Sequence, residues 1–377
     1  MNTVETDSTQ TTSAYLYGFP LVFNLDQVTR YVTEGVGGNP AAPFNVFSRA
    51  RALTTAADTF VTINNDTLYS MAQLDLSIGP LALHVPDTGG RYYVLQFVDA
   101  WTNNFAYVGH RATGTREGDF LLVPPAWEGS VPDGVTVIRF PTVVASIVGR
   151  WAVTADDDLP IVHALQDATT LTTLDQSAVA TGLARPDGSV PDELEFFEKL
   201  RVWSQQFPPA ARDRPLQESL EPLGVTVSGA SPYATLPTET VAALAASLEK
   251  AKQVLHSVLV SGHSPEVNGW KLVFHAFDYN LDFFEVGALD DPQYKIDDPN
   301  LRIAERAAAA VGGLWGNHPY EAAYIMTYVD DHGDRLNGAN TYTLRSTHPR
   351  PSGRSGPSRC TTTPTSTWST TPSTVTA

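Results

Sequence analysis

The sequence has a single cysteine in 377 residues, Cys360. A lone thiol excludes an internal disulfide, a cysteine-based zinc site and paired redox thiols within the chain. Positive charge is also scarce: 24 Lys and Arg stand against 41 Asp and Glu, a net charge of -17. Polyphosphate recognition needs a basic patch to displace counterions, and no Lys/Arg run supplies one, so nucleic acid and membrane surfaces are not expected partners. Long apolar runs are missing too. The most apolar stretch, Ala14 to Leu25, contains Gly18 and Pro20 and is far shorter than the roughly 20 residues needed to cross a bilayer. The N-terminus is polar and carries Glu5 and Asp7 with no basic residue, which is the wrong start for a secretory signal, so a cytoplasmic location is expected.

Familiar catalytic signatures are absent as well. There is no G-x-S-x-G elbow, Walker A loop, G-x-G-x-x-G turn or H-E-x-x-H helix, which disfavours the commonest hydrolases, NTPases, dinucleotide enzymes and zinc proteases. The nine histidines are scattered, and the nearest grouping, His256, His263 and His275, has no recognised ligand spacing, so no metal site is expected. Asp330, Asp331, Gly333 and Asp334 have the wrong order of acidic positions for a calcium loop and read as a solvated hairpin. The sequence leaves the cofactor open.

What is present is the texture of a globular, multidomain α+β chain, mainly β with helices. Leu21, Val22, Leu25, Val28 and Val32 recur at helical spacing, predicting a helix from Ala14 to Val32, kinked near Pro20, within an N-terminal unit of residues 1–40. Residues 41–175 form a β domain. Short runs rich in Val, Ile, Tyr and Phe, at about 10-residue spacing, predict strands at 60–64, 68–76, 81–85, 91–98, 104–108, 120–123, 135–140 and 143–153, an antiparallel barrel or sandwich. Residues 176–315 read as a helical bridge: a helix between Pro191 and Pro208, another from Thr238 to Gly262, and a third opened by Asp298-Pro299 and closed by Gly312-Gly313. Strands at 322–329 and 340–345 then begin a second β unit, an incomplete jelly roll, at 316–345.

From Ser346 the composition changes: 22 of 32 residues are Ser, Thr or Pro, with no acidic residue and no Leu, Ile or Phe. No packed strand comes from such a composition, and residues 346–377 are expected to be a disordered tail. Two stretches of it, Cys360-Thr361-Thr362 and 367–372, can be written by codons that spell strand-like sequence when read in a shifted frame, which suggests a frameshift near Arg345.

Polar residues concentrate at predicted strand ends. Asn64-Asn65-Asp66-Thr67-Leu68-Tyr69-Ser70 lies between two strands, and its Asn and Asp side chains either cap a turn through the backbone or face a pocket. In Arg91 to Trp101, period-two alternation puts Arg91, Tyr93, Leu95 and Phe97 on one face and Tyr92, Val94, Gln96 and Val98 on the other. Gln96 thus sits among apolar neighbours, where a buried amide needs partners. Asp99, Asn103 and Arg111 follow the strand end, and Arg150 lies within a strand. These arginines are either structural partners of carboxylates or an anion clamp.

Ala14-Tyr15, Gly18-Phe19-Pro20, Asn64 to Ser70, Val85-Pro86-Asp87, Gly90 to Tyr93, Gln96, Asp99, Trp101, Gly109, Arg111 and Gly149-Arg150 together resemble the bacterial family termed domain of unknown function 1254, over about Ala14 to Leu174. The resemblance implies a following module, domain of unknown function 1214, which Ala323 to Arg345 resembles at its opening through Gly333, Leu336, Gly338 and Tyr342. It implies two β units bridged by helices, the later one a jelly roll, and carries no catalytic set.

Two functions fit the residues. One is a hydrolase-type enzyme acting on a small polar or acidic molecule, with Asp66 and Asp99 as acid/base groups, Tyr69 orienting, and Asn65, Arg91, Gln96, Trp101, Arg111 and Arg150 binding the small-molecule ligand. The other is a non-catalytic module that binds a ligand or carbohydrate or takes part in assembly. A homo-oligomer is compatible with either.

Overall fold

The computed structural model describes residues 4, 7–55, 58, 60, 61, 63–175, 177–262, 264–273, 298–318, 321, 322 and 324–343. The tail, its frameshift reading and Cys360 lie outside these residues. Helix α1 (Ser8–Thr33) starts earlier than the apolar stripe predicts, because Asp7 caps it, accepting hydrogen bonds from the backbone of Thr9 and Gln10. It continues through Pro20 without a break. A two-strand hairpin follows, β1 (Gly35–Val36) and β2 (Asn39–Pro40), turned at Gly37-Gly38 with Gly37 in the left-handed region.

The predicted β domain is two stacked sheets, and no closed barrel forms among the described residues. The larger sheet has the order β3-β4-β10-β6-β7, from Phe47–Arg49, Thr67–Asp75, Val144–Ala152, Tyr93–Asp99 and Asn104–Gly109. The smaller has the order β11-β5-β8-β9, from Thr170–Thr173, Leu81–Val85, Gly118–Val123 and Thr136–Arg139. All pairs are antiparallel except β8 with β9. At 60–64, expected as a strand, the described residues pair with no strand: Val61 has φ 33° and the Ile63 amide bonds back to Phe60. The apolar side chains of Phe60 and Ile63 are buried, but as a plug rather than a ladder.

Between the sheets, Leu83, Leu95, Phe97, Leu122, Ile147 and Trp151 make one core, in which Tyr93 stacks on Trp151 at 5.1 Å. The other face of the larger sheet is covered as well. Val98 and Val148 pack with Tyr31 of α1 and with Leu314 and Trp315, while Trp101 and Val144 join a helical core with Leu21, Phe197 and Leu248. That is why every residue of β4 and β6 is buried. An antiparallel sheet with one wet face would show clean alternation, whereas this one is sandwiched between a second sheet and helices.

Helix α2 (Leu159–Ala168) packs Val162 into the inter-sheet core, and the helical layer contains α3 (Glu195–Gln206), α4 (Arg214–Ser219), α5 (Thr238–Ser261) and α6 (Pro299–Gly313). As the sequence predicts, Asp298 caps α6, accepting from Asn300 and Leu301, and Pro299 occupies the first turn. Strands β12 (Glu266–Val267), β13 (Trp270–Val273) and β14 (Tyr324–Met326) form a small antiparallel sheet. Its first two strands fall inside the stretch read as helical bridge. The expected strand at 340–345 is irregular through residue 343, and the preceding hairpin closes by a Val329–Arg335 bridge with the Leu336 amide on the Tyr328 carbonyl. Among the described residues no helix is long and apolar enough to cross a membrane.

Candidate functional site

Arg150 is the centre of the polar residues that the fold gathers. It lies on the central strand β10, opposite Tyr69 of β4 and Val94 of β6. Because Trp151 enters the inter-sheet core, period-two geometry sends Arg150 to the helical face. There the chain leaves α6 at Gly313, turns with Trp315 in the left-handed region at φ 61°, and crosses the sheet as the segment Leu314 to His318.

The contacts are specific. Arg150 Nη1 donates to Gln96 Oε1 at 2.7 Å and Asn317 Oδ1 at 3.2 Å, while Nη2 donates to the Trp315 carbonyl at 2.9 Å. Its guanidinium sits 5.5 Å from the Tyr69 ring centroid, a cation–π distance. Gln96 is the buried amide that the sequence marked, and its Nε2 donates to Asn104 Oδ1 at 2.6 Å and the Gly316 carbonyl at 2.9 Å. Asn104 donates to the same carbonyl at 3.1 Å. Two tyrosine hydroxyls accept backbone N–H groups of the crossing segment: Tyr107 from His318 at 2.8 Å and Tyr324 from Asn317 at 3.1 Å.

At the edge of this cluster the Tyr92 hydroxyl donates to Glu321 Oε1, which also lies 3.3 Å from Arg111 Nε. Burial pushes the Glu321 carboxyl above its ordinary range, against the opposing pull of Tyr92 and Arg111. Burial likewise raises the hydroxyls of Tyr92, Tyr107 and Tyr324, so all three are neutral phenols near pH 7. Among the described residues no carboxylate forms an ion pair with Arg150, although part of its surface remains accessible.

Of the nominated residues, Tyr69, Gln96, Arg111 and Arg150 therefore share this face. Asn65 and Asp66 stand on the turn at the same end of the sheet. Asn64 Oδ1 accepts the Asp66 amide at 2.7 Å, an Asx-turn, and its own amide donates to the Tyr69 hydroxyl at 3.1 Å. Asp66 Oδ1 is buried without a hydrogen-bond partner among the described residues.

The other nominees are elsewhere. Asp99 pairs with Ala145 at the far end of β10, whereas Asp66 precedes the Thr67–Ala152 pair, so the strand separates them by roughly 25 Å. Asp99 closes the β6–β7 turn, accepting from the Asn103 backbone at 2.8 Å and side chain at 2.9 Å. Trp101 donates to the Phe207 carbonyl at 2.7 Å within the helical core. Arg91 holds Asp158 through both terminal nitrogens, at 2.6 and 2.5 Å, and donates to the Ala152 carbonyl at 2.8 Å, pinning the chain that follows β10.

The residues that complete the cluster, Asn104, Tyr107, Asn317, His318, Glu321 and Tyr324, were not picked out as site residues. Several meet the sheet across more than 200 positions, and no local pattern signals such a contact. A cavity of about 580 Å³ lies away from this cluster, between α1 and α3. Its Lys199 is held by Asp26 and Glu195, each at 2.8 Å, and none of the nominated residues lines it. Among the described residues no three His, Cys, Asp or Glu side chains converge as a metal site would require.

Residues 44–173 match a family described as protein of unknown function DUF1254. The matched range holds β3 to β11, and with them Tyr69, Tyr92, Gln96, Asn104, Tyr107, Arg111 and Arg150. No curated protein matches the sequence. The fold is similar to the crystal structure of the VPA0106 protein from Vibrio parahaemolyticus, with a TM-score of 0.58 and 20% identity over 89% of this chain and 74% of that one. An uncharacterized protein from Burkholderia cenocepacia aligns with a TM-score of 0.28 and 12% identity, over 70% of this chain and 56% of that one.

Proposed function

We propose that the protein binds a small acidic organic molecule on the helical face of its larger sheet, with Arg150 taking the acidic group. The observation that supports this is the state of Arg150. A guanidinium keeps its charge at any accessible pH, yet here it meets only neutral oxygens. Removing an ion from water costs several kcal/mol, and an arriving carboxylate offsets that cost with two charge-assisted hydrogen bonds. The rings of Tyr69, Tyr92, Tyr107 and Tyr324 offer apolar surface with hydroxyl edges, which suits the body of a small organic acid.

A hydrolase-type reaction on the bound acid is the catalytic form of this proposal. Asp66 and Glu321 are the candidate carboxyl groups, since Asp158 at the same end is held by Arg91. Asp99 is too distant to act with Asp66 on one small molecule. We also propose that residues 323–345 open a second module of the kind termed domain of unknown function 1214, supported by the pairing of β14 with β13 and the Val329–Arg335 bridge.

The test uses acetate, benzoate and succinate at constant ionic strength, with thermal unfolding as readout. A carboxylate should raise the melting temperature of the wild-type protein, and Arg150→Met, which keeps the aliphatic stem and removes the charge, should abolish the shift. Equal shifts in both proteins would sink the assignment. Proton spectra of the added acid, followed over hours, report conversion.

A further inference from the structure

We propose that the backbone turn Trp315 to His318 is a built-in competitor that occupies the place of the ligand's carboxylate and rotates away from Arg150 when the ligand binds. This rests on the anion-binding reading of Arg150 above. The argument is geometric. Arg150 presents two terminal nitrogens, and the segment gives an oxygen to each: Asn317 Oδ1 to Nη1 at 3.2 Å and the Trp315 carbonyl to Nη2 at 2.9 Å. Two oxygens, one per terminal nitrogen, is the arrangement of a bidentate carboxylate. Both are neutral, so the segment satisfies the directions of the guanidinium without setting a charge against it. A true carboxylate exchanges these contacts for ones of about twice the strength.

Other features fit a displaceable contact. Trp315 adopts φ 61°, a region in which a bulky residue is strained, so a turn of its backbone relieves strain while its ring stays packed on Tyr31 and Phe60 and bonded to Asn24. The Gly316 carbonyl is held by two neutral amides, Gln96 and Asn104, both of which can turn toward a ligand. The amides of Asn317 and His318 end on the phenolic hydroxyls of Tyr324 and Tyr107, and the Gly316 amide closes a local turn on the Gly313 carbonyl, so no strand ladder holds them.

The experiment measures amide hydrogen exchange across residues 314–318 in the full chain, with and without saturating benzoate or succinate, beside calorimetric titration of the same acids. Faster exchange at Gly316, Asn317 and His318 in the bound state supports the proposal. Asn317→Ala, which removes one of the two competing oxygens, should bind the acid about tenfold more tightly. Asn317→Asp sets an internal carboxylate against Arg150 and should abolish binding while the fold persists. Binding to the wild type with unchanged or slower exchange overturns the competitor role and leaves the anion site standing, and so does weaker binding by a folded Asn317→Ala. Absence of binding by the wild type and both variants overturns the anion site and the competitor together. Should either variant fail to fold, the wild-type exchange measurement decides alone.

Discussion

Asp99 is a carboxylate that the fold keeps out of water without giving it a cation. Burial pushes it up to about 6, moderated by hydrogen bonds from Asn103 and by more distant Arg306. Below pH 3.8 both folded and unfolded forms are protonated and there is no penalty. As pH rises from about 4 to 6 the unfolded chain loses this proton first, so stability falls by about 3 kcal/mol, and the loss is complete above pH 6. Asp158 acts with the opposite sign: the hydrogen-bonded Arg91 holds it down at about 2, so its stabilisation is present above about pH 4 and lost as pH falls through 2. In Asp99→Asn the decline between pH 4 and 6 should disappear while the loss at lower pH persists, as read by urea unfolding at a series of pH values. An unaltered slope in the variant would assign the decline to other groups. At this scale the sequence was informative about which residues are unusual and silent about their partners. Gln96 and Arg150 stood out as polar side chains in apolar runs, but Asn317 and Trp315, which meet Arg150, lie 167 and 165 positions away.

Elements were legible where a strand has one local pattern and tight turns on both sides. Leu81–Val85 matches its apolar run at both ends, since Pro80 and Pro86 bound it. Residues 60–64 misled because burial of Phe60 and Ile63 against Tyr31 and Trp315 produces an apolar run with no ladder. β12 and β13 were hidden because they are short and carry no buried alternation. The central strand β10 owes its close neighbours to Gly149. A Cβ there would lie 2.7 Å from the Ser70 carbonyl on β4 and 2.9 Å from Leu95 Cδ2 on β6. The first contact is with backbone and cannot relax by side-chain rotation, so Gly149→Ala should cost about 1–3 kcal/mol and move Arg150 relative to Tyr69. Chemical unfolding measures the first effect, and the carboxylate-dependent melting shift reads the second. A variant as stable as the wild type would mean that the β4–β10 spacing is slack.

On the scale of the molecule, the family-matching range and the folding unit are not the same thing. Residues 44–173 contain both sheets, yet one whole face of the larger sheet is covered by α1 and by the stretch from α6 to His318. Expressed alone, that range leaves Met71, Val98, Trp101 and Val148 in water, and it should aggregate or bind hydrophobic dyes where residues 7–343 do not. A monodisperse, cooperatively melting fragment of 44–173 would contradict this. The sequence foresaw the stacking of β runs and the helices but not the doubly covered sheet, because continuous burial reads the same whichever element supplies the cover. The long reach from Arg150 to Trp315 also sets a schedule for synthesis. At roughly 5–20 residues per second, the ribosome needs on the order of ten to thirty seconds after making β10 before the residues that close its outer face emerge. During that interval a nascent chain holds a finished, half-naked sheet, which makes the speed of translation through residues 153–318 a determinant of yield and this stretch the natural window for a chaperone.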